Sequence, residues 1–457
     1  MASTFMSSPP NTPPLSIQVT SRQAPQGITE ESSQAEMRMH FIKDLRAAHK
    51  FRRDVANELW VYSGGRYVPA SAEWTLDRCT TLVSDLYHGH IVPSMIDAVH
   101  MHLKARQPLL EPTPPKSLVN LRNGIWDAKA SKLLPHSPSL WPSPVQIPVD
   151  YNPDARCPKI DKFLSMVFPD DSQDFVDELY GSFLVSNTFY QQILWLTGPG
   201  GNGKGTQIKL AAAFLGKENC APIRLSELST DRFATADIFG KLLIYDGDTP
   251  IERMLHVDVL KRITGGDTIR AQHKGLRAFS FDPFCTVMIG ANDQPDAVDF
   301  SQGMLDRPMI IPCTRRIRGT AGQRTDQDTY IAEMLAGDGA SGLLNRALRG
   351  LDRLLKRGLI LPPSVAGATN AYKAQANPIE QFFLESLQLD PNGMLKLKDI
   401  RPLFVDWARG NGRSVKATND NIADWICTRY PQVKRGRMDA SAHTGSEVLR
   451  GVSWNVE

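Results

Sequence analysis

At 457 residues with 41% apolar side chains, the chain is long enough for two to four domains, each with its own core. A net charge of only +3 excludes a global electrostatic pull on nucleic acid, so any such binding must come from local patches. The six cysteines lie singly with none at metal-ligand spacing, and no uncharged apolar stretch is long enough to span a bilayer. These features exclude a disulfide framework and a membrane span, and imply a soluble, cytoplasmic protein.

Residues 1–34 are rich in Pro, Ser, Thr and Gln and bury too little to offset the entropy of ordering, so a disordered tail is expected. Residues 35–187 form a mixed α/β domain. WVYSGGRYVPA is a hairpin with a Gly-Gly turn, and helical patterns run from about residue 76 to 106. LVNLRNGIWDAKASKLLPHSP gives two short strands around a polar turn, with Asn123-Gly124 and Asp127 as turn residues, and FVDELYGSFLVSN is an apolar-periodic helix. Residues 188–374 alternate strand and helix patterns (ILWLTG, TQIKLAAAFLG, KLLIYDGD, MLHVDVLKRITGG, FCTVMIGAND) and then turn helical, which argues for an α/β core with a largely parallel sheet. Residues 375–457 follow Asn377-Pro378 as helix, strand, helix, helix and a terminal hairpin.

The central feature is GPGGNGKGT. Gly198, four residues, Gly203 and Lys204 fit the phosphate-loop pattern, with a strand before and a helix after. Gly198, Pro199, Gly200, Gly201, Asn202 and Gly203 let backbone N–H groups face one anion, and the helix N-terminus adds its positive end. Lys204 reaches the β- and γ-phosphates of ATP. The pattern is broken at Gly205, where a Ser or Thr ordinarily ligates Mg²⁺; Thr206 is the nearest substitute hydroxyl. The K-G-T-Q string is shared with adenylate kinases, which leaves a nucleotide kinase as an alternative.

Further along, KLLIYDGDTP places Asp246 and Asp248 at the end of a strand and on one face of it, where a carboxylate holds Mg²⁺ or orients the attacking water. CTVMIGAND ends in Asn292, an amide suited to the γ-phosphate or the water, although alone it is an ordinary turn residue. Between them, Thr268–Gln272 and Leu276–Phe281 form a hairpin with His273 and Lys274 at its tip and Arg270 and Arg277 beside it, a plausible grip on a phosphodiester backbone. Arg307 precedes the apolar strand of MLDRPMIIP and is a candidate for neutralising transition-state charge; a lone arginine there is otherwise a surface charge. Near the C-terminus, Lys434, Arg435 and Arg437 are candidates for a DNA-touching wing.

In order, these motifs resemble a superfamily 3 helicase, and more narrowly the motor of phage and plasmid primase–helicases of the poxvirus and satellite-phage type. GPGGNGKG, LKRITGGDTIRAQHK and ANDQPDA carry the resemblance; LRNGIWD and VDYNPDARCPKIDKFL resemble the region before the motor, and FFLESLQLDPNGMLKLKDIRPLFVDWARGNG the winged-helix region after it. The resemblance implies an AAA+-like P-loop NTPase core between a mixed α/β domain and a winged-helix-like domain. It implies a homo-hexameric ring that hydrolyses ATP with Mg²⁺ at subunit interfaces and grips single-stranded or forked DNA. Lys204 is then the loop lysine, Asp248 (with Asp246 second) the acid, Asn292 the sensor, His273 and Lys274 the hairpin tip, and Arg307 the arginine finger. No carboxylate set before residue 190 suits nucleotidyl transfer, so a primase or other replication proteins would be separate partners. An ATP-dependent replication initiator that does not unwind DNA is the main alternative.

Overall fold

The computed structural model describes residues 32–82, 91–186, 191–230, 233–247, 257–275, 278–294, 302–317, 326–411, 415, 417–438 and 446–455. The expected tail, Asp248 and Arg277 lie outside the described residues, except that the tail's last residues are structured: Ser33 caps the first helix through a reciprocal pairing with Glu36.

The chain forms two compact units. One comprises Met1–Arg53, Asn57–Val61 and Pro69–Pro108; the other comprises Asp54–Ala56, Tyr62–Val68 and Leu109–Glu457. In the first, α1 (Gln34–Ala48) buries Met37, Phe41, Ile42 and Leu45, spaced to lie on one helical face. β1 (Phe51–Arg53) pairs antiparallel with the start of β2 (Leu59–Ser63), and α2 (Ala72–Thr81) and α3 (Pro93–Lys104) follow. Gly64 and Gly65, at φ +58° and +86°, supply the left-handed turn from β2 into β3 (Arg66–Pro69), as the Gly-Gly pair requires.

In the second unit, β4 (Leu118–Leu121), β5 (Gly124–Asp127) and β6 (Lys132–Leu134) make an antiparallel sheet of three strands, one more than the sequence suggested, because Gly124 and Asp127, expected in the turn, pair with Leu121 and Leu118 instead. After α4 (Pro158–Val167) and α5 (Gln173–Phe183) comes the central sheet: β7 (Ile193–Thr197), α6 (Lys204–Leu215), β8 (Cys220–Pro222), the short α7 (Glu227–Thr230), β9 (Leu243–Asp246), α8 (Val257–Gly265), the hairpin β10 (Ile269–Ala271) with β11 (Phe279–Phe281), β12 (Thr286–Ala291), the short α9 (Gln302–Leu305) and β13 (Pro308–Pro312). All pairings in the five-stranded sheet are parallel, in the order β13-β7-β12-β9-β8.

Both faces of this sheet are covered, which is why its strands are continuous apolar runs. Leu194, Leu196, Met288, Met309 and Ile311 join one core with Ile208 and Phe214 of α6. Ile193, Trp195, Val287, Ile289 and Ile310 join the other with Leu260 and Ile263 of α8. The sequence grouped residues 35–187 together, but residues 119–185 contribute to the first of these cores. The reason is a helix pair: α5 packs on α11 (Gly339–Arg357) so closely that a Cβ at Gly350 would overlap the Asp177 carbonyl. α10 (Gln327–Leu335) and α12 (Pro363–Ala376) complete this part.

The end of the chain is α13 (Pro378–Ser386), β14 (Leu387–Lys396), α14 (Leu397–Gly410), α15 (Asn419–Arg429), β15 (Lys434–Arg437) and β16 (Glu447–Trp454), with the sheet order β14-β16-β15. Its core, from Ile379 to Val452, is separate from the other two. Among the described residues, no helix is long and apolar enough to cross a membrane.

Candidate nucleotide site

β7, β12 and β13 run parallel and in register, with Thr197 beside both Ala291 and Pro312, so three chain segments leave the sheet at one edge. The segment after β7 is the Gly198–Thr206 loop. Gly198 sits at φ +140°, where a Cβ would overlap the Cys313 carbonyl, so only glycine lets the chain turn here. Gly203, at φ +86°, caps α6 without a side-chain acceptor of its own, so the positive end of α6 opens at the loop.

Lys204 and Asn202 form the inside of the loop. Asn202 donates from Nδ2 to the Cys313 carbonyl, and its Oδ1 accepts from Lys204 Nζ at 3.1 Å and from Lys204 N at 3.4 Å. Lys204 Nζ also donates to the carbonyls of Gly198 and Pro199. The ammonium is only 7% exposed as a residue and ringed by oxygens, which suits a group held ready for an anion. Burial pushes the adjacent Cys313 thiol up to about 12, against the opposing pull of Lys204, so it stays neutral.

Of the other expected residues, Asn292 is at this edge: its carbonyl accepts from Gly198 N at 3.3 Å, and it is exposed just beyond β12. Asp246 ends β9, opposite Ile289 of β12, and is half-buried. One strand therefore separates its strand from the loop's, a lateral distance of about 10 Å. Gly290 lets that strand close up, because a Cβ there would meet Ile208 Cδ1 at 2.9 Å and the Gly247 carbonyl at 3.0 Å.

Arg307 is not at this edge. It precedes β13, where its carbonyl accepts from Ile193 N at 2.7 Å, the length of a strand (roughly 16 Å) from the loop. Its guanidinium donates to Thr264 Oγ1 at 2.8 Å and to the carbonyls of Gly303 and Lys261, all in its own chain. The hairpin residues are elsewhere again, on the path from α8 into the start of β12. Arg270 lies on the exposed face of β10 and Lys274 is exposed, whereas the His273 ring stacks on Phe279 at 5.4 Å. Gly275, at φ +80°, makes the turn.

The structure also brings to the loop residues of the charged stretch that closes the α/β core, RRIRGTAGQRTDQD, to which the sequence reading assigned no role there. Ile317 N donates to the Gly201 carbonyl at 3.0 Å, and Gln327 Nε2 donates to Thr206 Oγ1 at 2.8 Å. Their only signal in the sequence is position, since they follow the apolar run of β13. Glycines that admit an anion, a buried lysine, a helix N-terminus and a strand-end carboxylate fit a Mg²⁺–triphosphate. At the C-terminus, Lys434, Arg435 and Arg437 are exposed on β15, and Arg435 pairs with both Asp420 and Asp424 of α15.

Comparison with known proteins matches two stretches of the chain. Residues 45–169 match the family described as D5 N terminal like, and residues 196–307, which span the loop to Arg307, match a family of unknown function, DUF5906. Solved structures similar to this chain include an A form apo structure of the NrS-1 C terminal region, with 14% identity and a TM-score of 0.46 over 90% of this chain and 99% of that one. A further apo structure of the same region has 14% identity and a TM-score of 0.47, with 90% of this chain and 98% of that one covered.

Proposed function

We propose that the chain is an ATP-dependent motor acting on DNA in the replication of a phage or plasmid-like element. The observation that carries this reading is the loop edge: the Gly198–Thr206 loop, Asn292 and Asp246 lie at the ends of parallel strands, with β12 between the loop strand and the acid strand. The match to a D5 N terminal like family supports the phage-type setting. In this reading the β-sheet is the core of an AAA+-like P-loop NTPase of the superfamily 3 type, and the terminal helix–sheet domain is winged-helix-like.

Each residue has a stated task. The loop N–H groups and Lys204 bind and orient the triphosphate. A bound Mg²⁺ supplies charge neutralisation across the phosphate oxygens. Asp246, with Asp248 beyond it, holds the cation's water shell or orients the attacking water, and the Asn292 amide senses the terminal phosphate. Arg307 serves the nucleotide of the next protomer in a ring, usually a hexamer, after exchanging its present carbonyl and Thr264 partners for phosphate. Arg270, His273, Lys274 and Arg277 of the hairpin hold the DNA backbone.

The test is hydrolysis and strand displacement on forked DNA. Lys204→Ala is expected to lower ATP turnover by roughly 100-fold or more, the scale set by loss of one oriented charge donor. Unchanged turnover would remove the loop from the reaction. Hydrolysis without strand displacement would instead favour an initiator that uses ATP to assemble.

A further inference from the structure

The loop pattern loses its hydroxyl at Gly205, and the structure puts another polar group in that place. A Cβ added at Gly205 would have one described neighbour within 4 Å, Nε2 of Gln327 at 3.6 Å. The same Nε2 donates to Thr206 Oγ1 at 2.8 Å. The Gln327 carboxamide therefore lies over the space that a side chain at 205 would enter. Thr206, one residue on and about 100° further round the helix, holds that carboxamide through its hydroxyl.

Gln327 is fixed by its own element. It opens α10, whose N-cap Asp326 accepts from Thr329 N at 3.1 Å and from Thr329 Oγ1 at 3.0 Å. Lys209 of α6 pairs with Asp328 at 3.1 Å, and the Tyr330 ring meets Phe163 edge-on at 6.0 Å. With Nε2 committed to Thr206, the amide oxygen is the remaining polar atom of the side chain, and no described residue donates to it. An amide oxygen is a hard donor of the type that Mg²⁺ accepts, directly or through one of its waters.

We propose that Gln327, held by Thr206, takes over the part of the hydroxyl missing at Gly205 and presents its amide oxygen to the divalent cation on the bound triphosphate. This rests on the proposed function, and it assigns the cation contact to a residue over 100 positions from the loop in sequence. It also explains why Gly205 is tolerated.

The test is titration of the full chain with a fluorescent ATP analogue, in EDTA and across a Mg²⁺ series, with thermal melting as the fold control. Gln327→Ala is expected to raise the Mg²⁺ concentration needed for half-maximal tightening by about 10-fold, the scale for residues that orient metal ligands, with little change in EDTA. Gly205→Ser added to that variant is expected to restore most of the Mg²⁺ response, since a Cβ at 205 meets nothing closer than 3.6 Å. Thr206→Val is expected to give a weaker form of the Gln327→Ala defect. An unchanged Mg²⁺ response in Gln327→Ala would overturn the proposal, as would an equal loss in EDTA and Mg²⁺ or no rescue by Gly205→Ser. If Lys204→Ala bound the analogue as the parent does, the loop reading would fall as well, so the two failures are distinguishable.

Discussion

The Gly198–Thr206 loop and the C-terminal ribbon both carry basic side chains, yet they are built in opposite ways. Lys204 is almost fully buried, and its neighbours are backbone carbonyls and an asparagine braced on Cys313. Lys434, Arg435 and Arg437 stand in solvent on a short strand, and Arg435 is shared between Asp420 and Asp424, whose side chains are 68% and 69% exposed. In the first region backbone shape sets the geometry, through Gly198 and Gly203, which sit at positive φ with no room for a Cβ. In the second, exposed charges set it, and each is screened and exchangeable. Function built on backbone shape should respond to a single methyl group, whereas function built on exposed charge should respond only to charge.

The largest expected effect tests the first half of that contrast. Gly198→Ala puts a Cβ into the Cys313 carbonyl at a backbone angle unsuited to alanine, whereas Gly200→Ala meets nothing within 4 Å. Local backbone strain of this type costs of order 1–3 kcal/mol, so nucleotide binding should weaken about 10- to 100-fold for Gly198→Ala. Gly200→Ala should stay within about twofold of the parent. Equal effects at the two glycines, measured by analogue titration, would show that loop shape does not govern binding.

A smaller effect compares the two basic regions directly. Removing Lys274 or Arg270 from the hairpin should lower the ratio of DNA-stimulated to unstimulated hydrolysis, and should reduce the salt dependence of DNA affinity by about one phosphate contact each. Arg437→Ala should leave the stimulation ratio alone, because the ribbon lies in a domain with its own separate core. If the ribbon variant lost stimulation and the hairpin variants kept it, the assignment of the two regions would be reversed.

The same contrast explains what was legible in the sequence. Strand ends announce themselves, because an apolar run buried on both faces must stop where the chain meets water; Asp246 and Asn292 are legible that way, and Gly198 through the spacing of its loop. The terminal order of helix, strand, helix, helix and hairpin was equally visible, since each element carries its own period. β8 is three residues ending in proline, with no alternation to show, and β5 is bounded by Gly124 and Asp127, both turn-type residues. The strand order was hidden because β13 pairs with β7 across more than a hundred residues. The packing of α5 on α11 depends on Gly181 and Gly350 meeting the opposite backbone, which no local pattern signals. Arg307 was legible as a position, but its partners were not: Thr264 and the Lys261 carbonyl come from the end of α8, brought near only by the fold. Gln327 was missed for the same reason.

The smallest expected effect concerns Arg435. Asp420 and Asp424 are four residues apart on α15, so their like charges oppose each other, and Arg435 lies 3.2 Å and 3.4 Å from them. All three side chains are well exposed, so Arg435→Ala should cost at most about 0.5–1 kcal/mol at low salt and less as the ionic strength rises. Asp424→Asn in the same background should recover part of it by removing the repulsion, and a melting series in salt measures both. The pair also bears on function, because two carboxylates on the exposed side of α15 more than offset the attraction of Arg435 for a phosphate backbone. If this domain grips DNA through α15 and β15, Asp424→Asn alone should tighten binding and steepen its salt dependence. If binding is unchanged, the ribbon's cations serve the domain's own carboxylates, and the hairpin remains the better site for DNA.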